Sequence, residues 1–182
     1  MIKNNTTNGW IELICGPMFS GKTEELIRRL RRSLIAKKKV IIFKPYTDNR
    51  YSENKIVTHD NNQYDAIKCE KLQDIEKLIN DYEVICIDEI QFYSDAAEYC
   101  DKWANNDKII EVCGLNGDYK RESFEQISLL IPIVENITFL TAIDEKTGEE
   151  ACFTKRIIDS KELQLIGGKE TYIACSRDTY KL

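Results

Sequence analysis

Two short stretches carry residue types that can do chemistry together. Gly16-Pro17-Met18-Phe19-Ser20-Gly21-Lys22-Thr23 has the spacing of a phosphate-binding loop, G-x-x-x-x-G-K-[ST]. Asp88-Glu89-Ile90-Gln91-Phe92 places two neighbouring carboxylates after an apolar run. In the first stretch, Gly16 and Gly21 permit backbone angles that a Cβ forbids, so successive N–H groups can converge on phosphate oxygens. Lys22 brings a cation to the β- and γ-phosphates, and the Thr23 hydroxyl brings a ligand for Mg²⁺. In the second stretch, Asp88 closes a strand as the partner carboxylate of the same Mg²⁺. Glu89, one residue on, points elsewhere and is the candidate carboxylate base. The plainer reading of this acidic pair is a helix cap or a solvated loop.

The elements around these stretches must position them. Trp10-Ile11-Glu12-Leu13-Ile14-Cys15 reads as a first strand running into the glycine loop, and residues 21–36 as a helix with Leu26, Ile27, Leu30 and Leu34 on one face. Strand, loop and helix in that order are the context in which the motif means phosphate binding. The helix N-terminus adds the positive end of its dipole. Lys39–Lys44 is a second, continuously apolar strand ended by Pro45, and Glu83–Ile87 a third that delivers Asp88 and Glu89. Lys108–Cys113 is a fourth strand and Ile133–Ala142 a fifth. Helices are expected over 70–81, over 94–106 with Ala97, Cys100 and Trp103 inward, and over Phe124–Leu130, stopped by Pro132. After Ala142 the chain changes character: a polar turn at 144–149, short strand-like runs at 151–156, 162–166 and 172–175, and a break at Gly167-Gly168.

Composition narrows the class. The chain has 182 residues, 42% hydrophobic and 31% charged, and a net charge of −5. That balance argues against a general nucleic-acid or membrane-surface binder. No apolar run approaches the length of a membrane span. The first nine residues are polar, lack the apolar core of a signal peptide, and read as a loose tail. Seven cysteines, an odd number with no C-x-x-C pair, argue for reduced thiols in a cytoplasmic protein, with Cys15, Cys86 and Cys113 buried in strands. Arg28, Arg29, Arg31, Arg32 and Lys37–Lys39 form a basic cluster, read as a solvated helix face or as a site that steers a phosphorylated ligand or a subunit. His59, the one histidine, lies in a long polar stretch from Tyr46 to Asn62 and is read as structural or catalytic.

Taken in order, these residues resemble the type II thymidine kinase family over about residues 10–177. The resemblance runs from the phosphate loop with Glu25-Leu26-Ile27-Arg28-Arg29, through Asp48-Asn49-Arg50-Tyr51-Ser52, Thr58-His59-Asp60 and Asp88–Phe92. It continues through Leu115–Arg121 with Phe124, Leu140-Thr141-Ala142, Phe153-Thr154-Lys155-Arg156, and Ile166-Gly167-Gly168 to Tyr172. It implies an α/β fold: a RecA-like core with a mainly parallel sheet over 10–142, then a small lasso domain over 143–182 that closes on a nucleoside. It implies transfer of the ATP γ-phosphoryl group to the 5′-hydroxyl of thymidine or deoxyuridine, for nucleotide salvage. By position, Glu89 matches the catalytic base, and Lys22 and Arg50 the cations on the phosphates. Gly16 to Thr23 with Asp88 and Gln91 match the ATP site, with Thr23 and Asp88 at Mg²⁺. Met18, Phe92, Leu115, Phe124, Thr154 and Tyr172 match the thymine pocket; by themselves the aromatic residues among them also read as core packing. The resemblance further implies a homotetramer and feedback inhibition by thymidine triphosphate (dTTP).

The sequence departs from the family in three places. The family has a structural zinc held by two C-x-x-C pairs. Here the first pair falls at Asp144 and Thr147, and the second at Cys175 and Asp178, so only one thiolate remains and zinc is expected to be absent. Asn116 stands where Asp is more usual, and Ile90 where Gly is common. The alternatives are a kinase of another deoxynucleoside, a phosphate-loop ATPase without nucleoside kinase activity, and a binding-competent but inactive relative.

Overall fold

The computed structural model describes residues 9–46, 55–57, 63–158 and 167–181. In chain order they form β1 (Trp10–Gly16), α1 (Lys22–Ile35), β2 (Val40–Pro45), β3 (Lys55–Val57), β4 (Gln63–Asp65), β5 (Ile67–Cys69), β6 (Val84–Ile87), α2 (Ala96–Ala104), β7 (Ile109–Leu115), α3 (Glu125–Leu130), β8 (Asn136–Phe139), β9 (Ala142–Ile143), β10 (Glu150–Ala151), β11 (Phe153–Arg156), β12 (Tyr172–Cys175) and α4 (Arg177–Lys181). Six strands make one sheet in the order β5-β2-β6-β7-β1-β8. Every pairing in it is parallel. A parallel sheet must be covered on both faces. Ile14, Ile42, Cys86 and Cys113 face α1 through Leu26, Ile27 and Leu30. Ile11, Leu13, Phe43, Ile85 and Val112 face the opposite layer, which includes Tyr99 and Trp103 of α2 and Ile127 and Leu130 of α3. Each of these side chains, fully buried, contributes about 1.5–3 kcal/mol.

The parallel order carries the site. β1 and β6 end at the same edge of the sheet, so the loop after β1 and the acidic pair after β6 meet there, where ligands bind in open α/β sheets. The smaller strands pair off separately: β3 with β4, β9 with β10, and β11 with β12, all antiparallel.

Several expectations from the sequence are corrected. Residues 70–81 do not form an α-helix; they make two 3₁₀ turns, Leu72–Ile75 and Leu78–Asp81. Leu72, Ile75 and Leu78 are spaced by three, which suits the 3₁₀ period as well as the α period. The Asp95 carboxylate accepts the N–H groups of Leu72 (3.1 Å) and Gln73 (2.9 Å) and fixes the first turn. The long polar stretch contains β3, which pairs with β4 just beyond it, and the expected fifth strand is divided into β8 and β9. In α2 the buried residues are Ala96, Tyr99, Cys100 and Trp103, while Ala97 is only partly covered. Leu34 is 48% exposed although its helical angle matches the buried stripe. An angle sets a direction, not what lies there to cover the side chain. The run at 162–166 lies outside the described residues.

Arg29 is the main exception to the solvated reading of the basic cluster. Its guanidinium reaches down onto the sheet, where Glu12 and Glu111 are register partners on β1 and β7. It donates to Glu12, to Glu111 (3.0 Å), to Thr138 on β8 (2.8 Å) and to Glu25 on its own helix (2.8 Å). Burial pushes the Glu111 carboxyl up to about 7; Arg29 pulls against this, while Glu12 and Glu25 push with it. A carboxyl whose folded value lies above its ordinary 4.5 takes up a proton on folding. Its contribution to stability is therefore full below about pH 4.5 and declines as pH rises toward 7. Glu111→Gln is expected to remove that slope from a plot of thermal midpoint against pH, while the wild-type chain keeps it.

Candidate functional site

The phosphate loop turns by two left-handed residues, Phe19 (φ 65°) and Gly21 (φ 77°). Gly21 is the residue before α1, and its carbonyl accepts the Glu25 N–H at 3.0 Å. Gly16 is needed for a different reason from the one its spacing suggests. A Cβ on it would lie 2.2 Å from the Leu140 carbonyl oxygen, so close approach of the chain after β8 excludes any side chain. Lys22 is buried and folds back on the loop, its Nζ donating to the Pro17 carbonyl at 2.6 Å and lying 3.5 Å from Ser20 Oγ.

The Thr23 hydroxyl lies 3.2 and 3.3 Å from the two oxygens of Asp88. Asp88 is buried and takes a third contact at Oδ1 from the Cys113 thiol on β7, at 2.8 Å. Burial, then the neighbouring Asp88, pushes the Cys113 thiol well up, so it is a neutral donor. Next in the chain, Glu89 adopts φ 51°, a left-handed conformation rare outside glycine. Its own N–H donates to Asp88 Oδ1 at 3.0 Å. Gln91 then bridges: its Nε2 donates to Glu89 Oε2 at 2.6 Å, and its Oε1 accepts the Leu115 N–H at 3.1 Å. Gln91 therefore lies on the Glu89 side and ties that carboxylate to the end of β7.

The remaining site residues fall into two groups. Met18 meets the small strands directly, its N–H donating to Thr154 Oγ1 on β11 at 3.0 Å. Tyr172 is buried opposite Arg156, whose Nη2 donates to its hydroxyl at 2.7 Å. Phe92 and Leu115 are half-buried beside Gln91 in sequence and in space, and Phe124 packs its ring on the main core. Arg50 and His59 lie outside the described residues.

Three residues gain partners that the sequence did not show. Arg156 stacks its guanidinium 3.8 Å from the centre of the Tyr119 ring and 5.2 Å from that of Tyr172. The period-2 alternation of Thr154 with Arg156 carried the signal. Asn116 donates to the Cys152 carbonyl at 3.4 Å, a bond that an aspartate could not make. The Cys113 contact depends on parallel register and had no local signal.

A family model described as thymidine kinase matches residues 9–180. The chain belongs to the thymidine kinase family. Among its relatives, the thymidine kinase of Vaccinia virus (strain Ankara) is 44% identical over 172 residues, covering 94% of this chain and 97% of the relative. Thymidine kinases of Monkeypox virus and Variola virus match at the same identity and coverage. The thymidine kinase match therefore spans both the sheet with its phosphate loop and the small strands through α4. Among the described residues, no helix is long and apolar enough to cross a membrane.

Proposed function

We propose that this chain transfers the γ-phosphoryl group of ATP to the 5′-hydroxyl of thymidine, with deoxyuridine as the nearest alternative substrate. The observation that carries the reading is the junction after β6. There Asp88 pairs with Thr23 of the phosphate loop, while Glu89, the next residue, is held by Gln91. An ATPase needs only the first half of that junction. A kinase also needs a carboxylate positioned for an acceptor hydroxyl.

Thr23 and Asp88 are hard oxygen donors and fit Mg²⁺. Held there with ATP, Mg²⁺ would supply positive charge against the phosphoryl groups. The chain's own groups do the rest. Lys22 exchanges its Pro17 carbonyl for a phosphate oxygen, a stronger, charge-assisted bond. Backbone N–H groups from Gly16 to Gly21 cradle the phosphates, and Arg50 supplies a further cation by family correspondence. Glu89 orients the 5′-hydroxyl and accepts its proton. Met18, Phe92, Leu115, Phe124, Thr154 and Tyr172 line the base. A homotetramer, feedback inhibition by dTTP through the same pocket, and a reducing cytoplasmic setting belong to the same proposal; the seven free thiols suit the last.

The test is ATP-dependent phosphorylation of a panel of nucleosides by the purified chain. Thymidine is expected to have the highest kcat/KM. Hydrolysis of ATP with no nucleoside phosphorylated would replace this reading with an ATPase. Gly114 offers a sharper check of the geometry. A Cβ there would lie 2.5 Å from Gln91 Oε1 and 2.8 Å from Ile90 Cγ2. Gly114→Ala is expected to displace Gln91 and lower kcat roughly 10- to 100-fold, with KM for ATP little changed.

A further inference from the structure

The family resemblance implies a structural zinc at the base of the small strands, and the residues present do not fit one. Among the described residues, no three His, Cys, Asp or Glu side chains converge as a metal-holding group. The positions that do converge differ from those expected. Cys175 ends β12 buried opposite Phe153. It is Ser176 and Thr179, each one position further on, that meet Asp144. Asp144-x-x-Thr147 and Ser176-x-x-Thr179 thus repeat a two-pair spacing, with one carboxylate and three hydroxyls instead of four thiolates.

We propose that Asp144 is a metal-free clamp that fixes β12, and Tyr172 on it, against the β9–β10 hairpin. Asp144 is 1% exposed. Its Oδ2 accepts the Ser176 N–H at 2.8 Å and its Oδ1 the Lys146 N–H at 3.0 Å. The Thr179 side chain lies beside the carboxylate, and Ser176 Oγ donates to Thr179 Oγ1 at 3.4 Å. Each carboxylate oxygen thus has a backbone donor. Its backbone closes the turn, with N–H donating to Glu149 O at 2.8 Å and C=O accepting Gly148 N–H at 2.7 Å. Ser176 Oγ accepts the Thr179 N–H at 3.4 Å, so the start of α4 joins the same knot. Thr147 is exposed, and its hydroxyl accepts the Glu149 N–H at 3.3 Å, completing the turn rather than the cluster. These donors hold the Asp144 carboxyl well below its usual range.

The clamp acts at a distance on the site. Ala142, Ala151 and Ala174, one on each strand it joins, pack with Phe19 of the phosphate loop in a separate small cluster. Loosening Asp144 frees the strand that carries Tyr172 and the surface on which Phe19 rests. Asp144 is therefore a positioning residue; its effect on substrate rests on the nucleoside-pocket reading above, while its effect on folding does not.

The wild-type chain, purified without added metal, is expected to contain less than about 0.1 zinc per chain and to keep its thermal midpoint in a strong chelator. Stoichiometric zinc, or a midpoint lowered by the chelator, would overturn the proposal. Asp144→Ala is expected to lower the midpoint by roughly 5 °C or more and to raise KM for thymidine about tenfold, well beyond any change in KM for ATP. An unchanged midpoint would overturn the clamp. A lowered midpoint with unchanged thymidine KM would overturn its link to Tyr172. If Asp144→Ala does not fold, Asp144→Asn takes its place, keeping the size and one oxygen acceptor but losing the charge. It is expected to lower the midpoint and raise KM for thymidine in the same direction by smaller amounts. An unchanged midpoint in Asp144→Asn would likewise overturn the clamp.

Discussion

Glu89→Gln is expected to lower kcat for thymidine by roughly 10² to 10⁴, the range supplied by a positioned general base. The substitution is nearly isosteric. The Gln91 amide can still donate to the side-chain oxygen of a glutamine, so the 2.6 Å bridge has a successor. The backbone at φ 51° suits glutamine no worse than glutamate, so strain is unchanged. What is lost is the capacity to take a proton. KM for ATP and for thymidine should stay within about threefold, since the phosphate loop and the base pocket keep their contacts. The thermal midpoint should move by no more than about 2 °C. A loss of less than about tenfold would remove Glu89 from the role of base. A loss of activity together with a large fall in midpoint would show that Glu89 acts through folding.

The second large effect concerns stability. Arg29→Met is expected to cost roughly 3 kcal/mol near neutral pH, because it leaves Glu12, Glu25 and Glu111 gathered around an apolar side chain. For a chain of this length that is a fall of about 10 °C in thermal midpoint. The register makes the cost hard to escape: Glu12 and Glu111 are partners on adjacent parallel strands and cannot separate without breaking the ladder. Glu111 already favours its protonated form, so the cost of losing Arg29 should shrink as pH falls from 7 toward 4.5. Arg28 is the internal control. Among the described residues it pairs only across the helix surface with Glu25, and its side chain is 57% exposed. Arg28→Met should therefore cost no more than about 1 kcal/mol. Equal effects at the two positions would mean that the cluster is solvated after all.

How much of this could be read from the chain alone follows from the range of the forces involved. The phosphate loop, its flanking strand and helix, and the acidic pair after β6 were legible because each is local: a spacing, a periodicity or a stop signal within a few residues. The continuous apolar runs marked buried strands, the family resemblance implied the mainly parallel α/β fold they build, and the hairpin at 144–149 followed from its turn residues. Local signals failed where two periods coincide, as at 72–78, and where a periodic face found nothing to cover it, as at Leu34. The structure alone decided which residues meet. Arg29 looked like one of several surface arginines until β1, β7 and β8 were laid side by side beneath it. Gly16 was read for the backbone angles it permits, but it is a point of close contact with Leu140. Cys175 looked like the surviving metal ligand, and the fold passes it over for Ser176 and Thr179. In each case the deciding partner lies on another strand or loop, and strand register is a long-range property that spacing along one segment cannot encode.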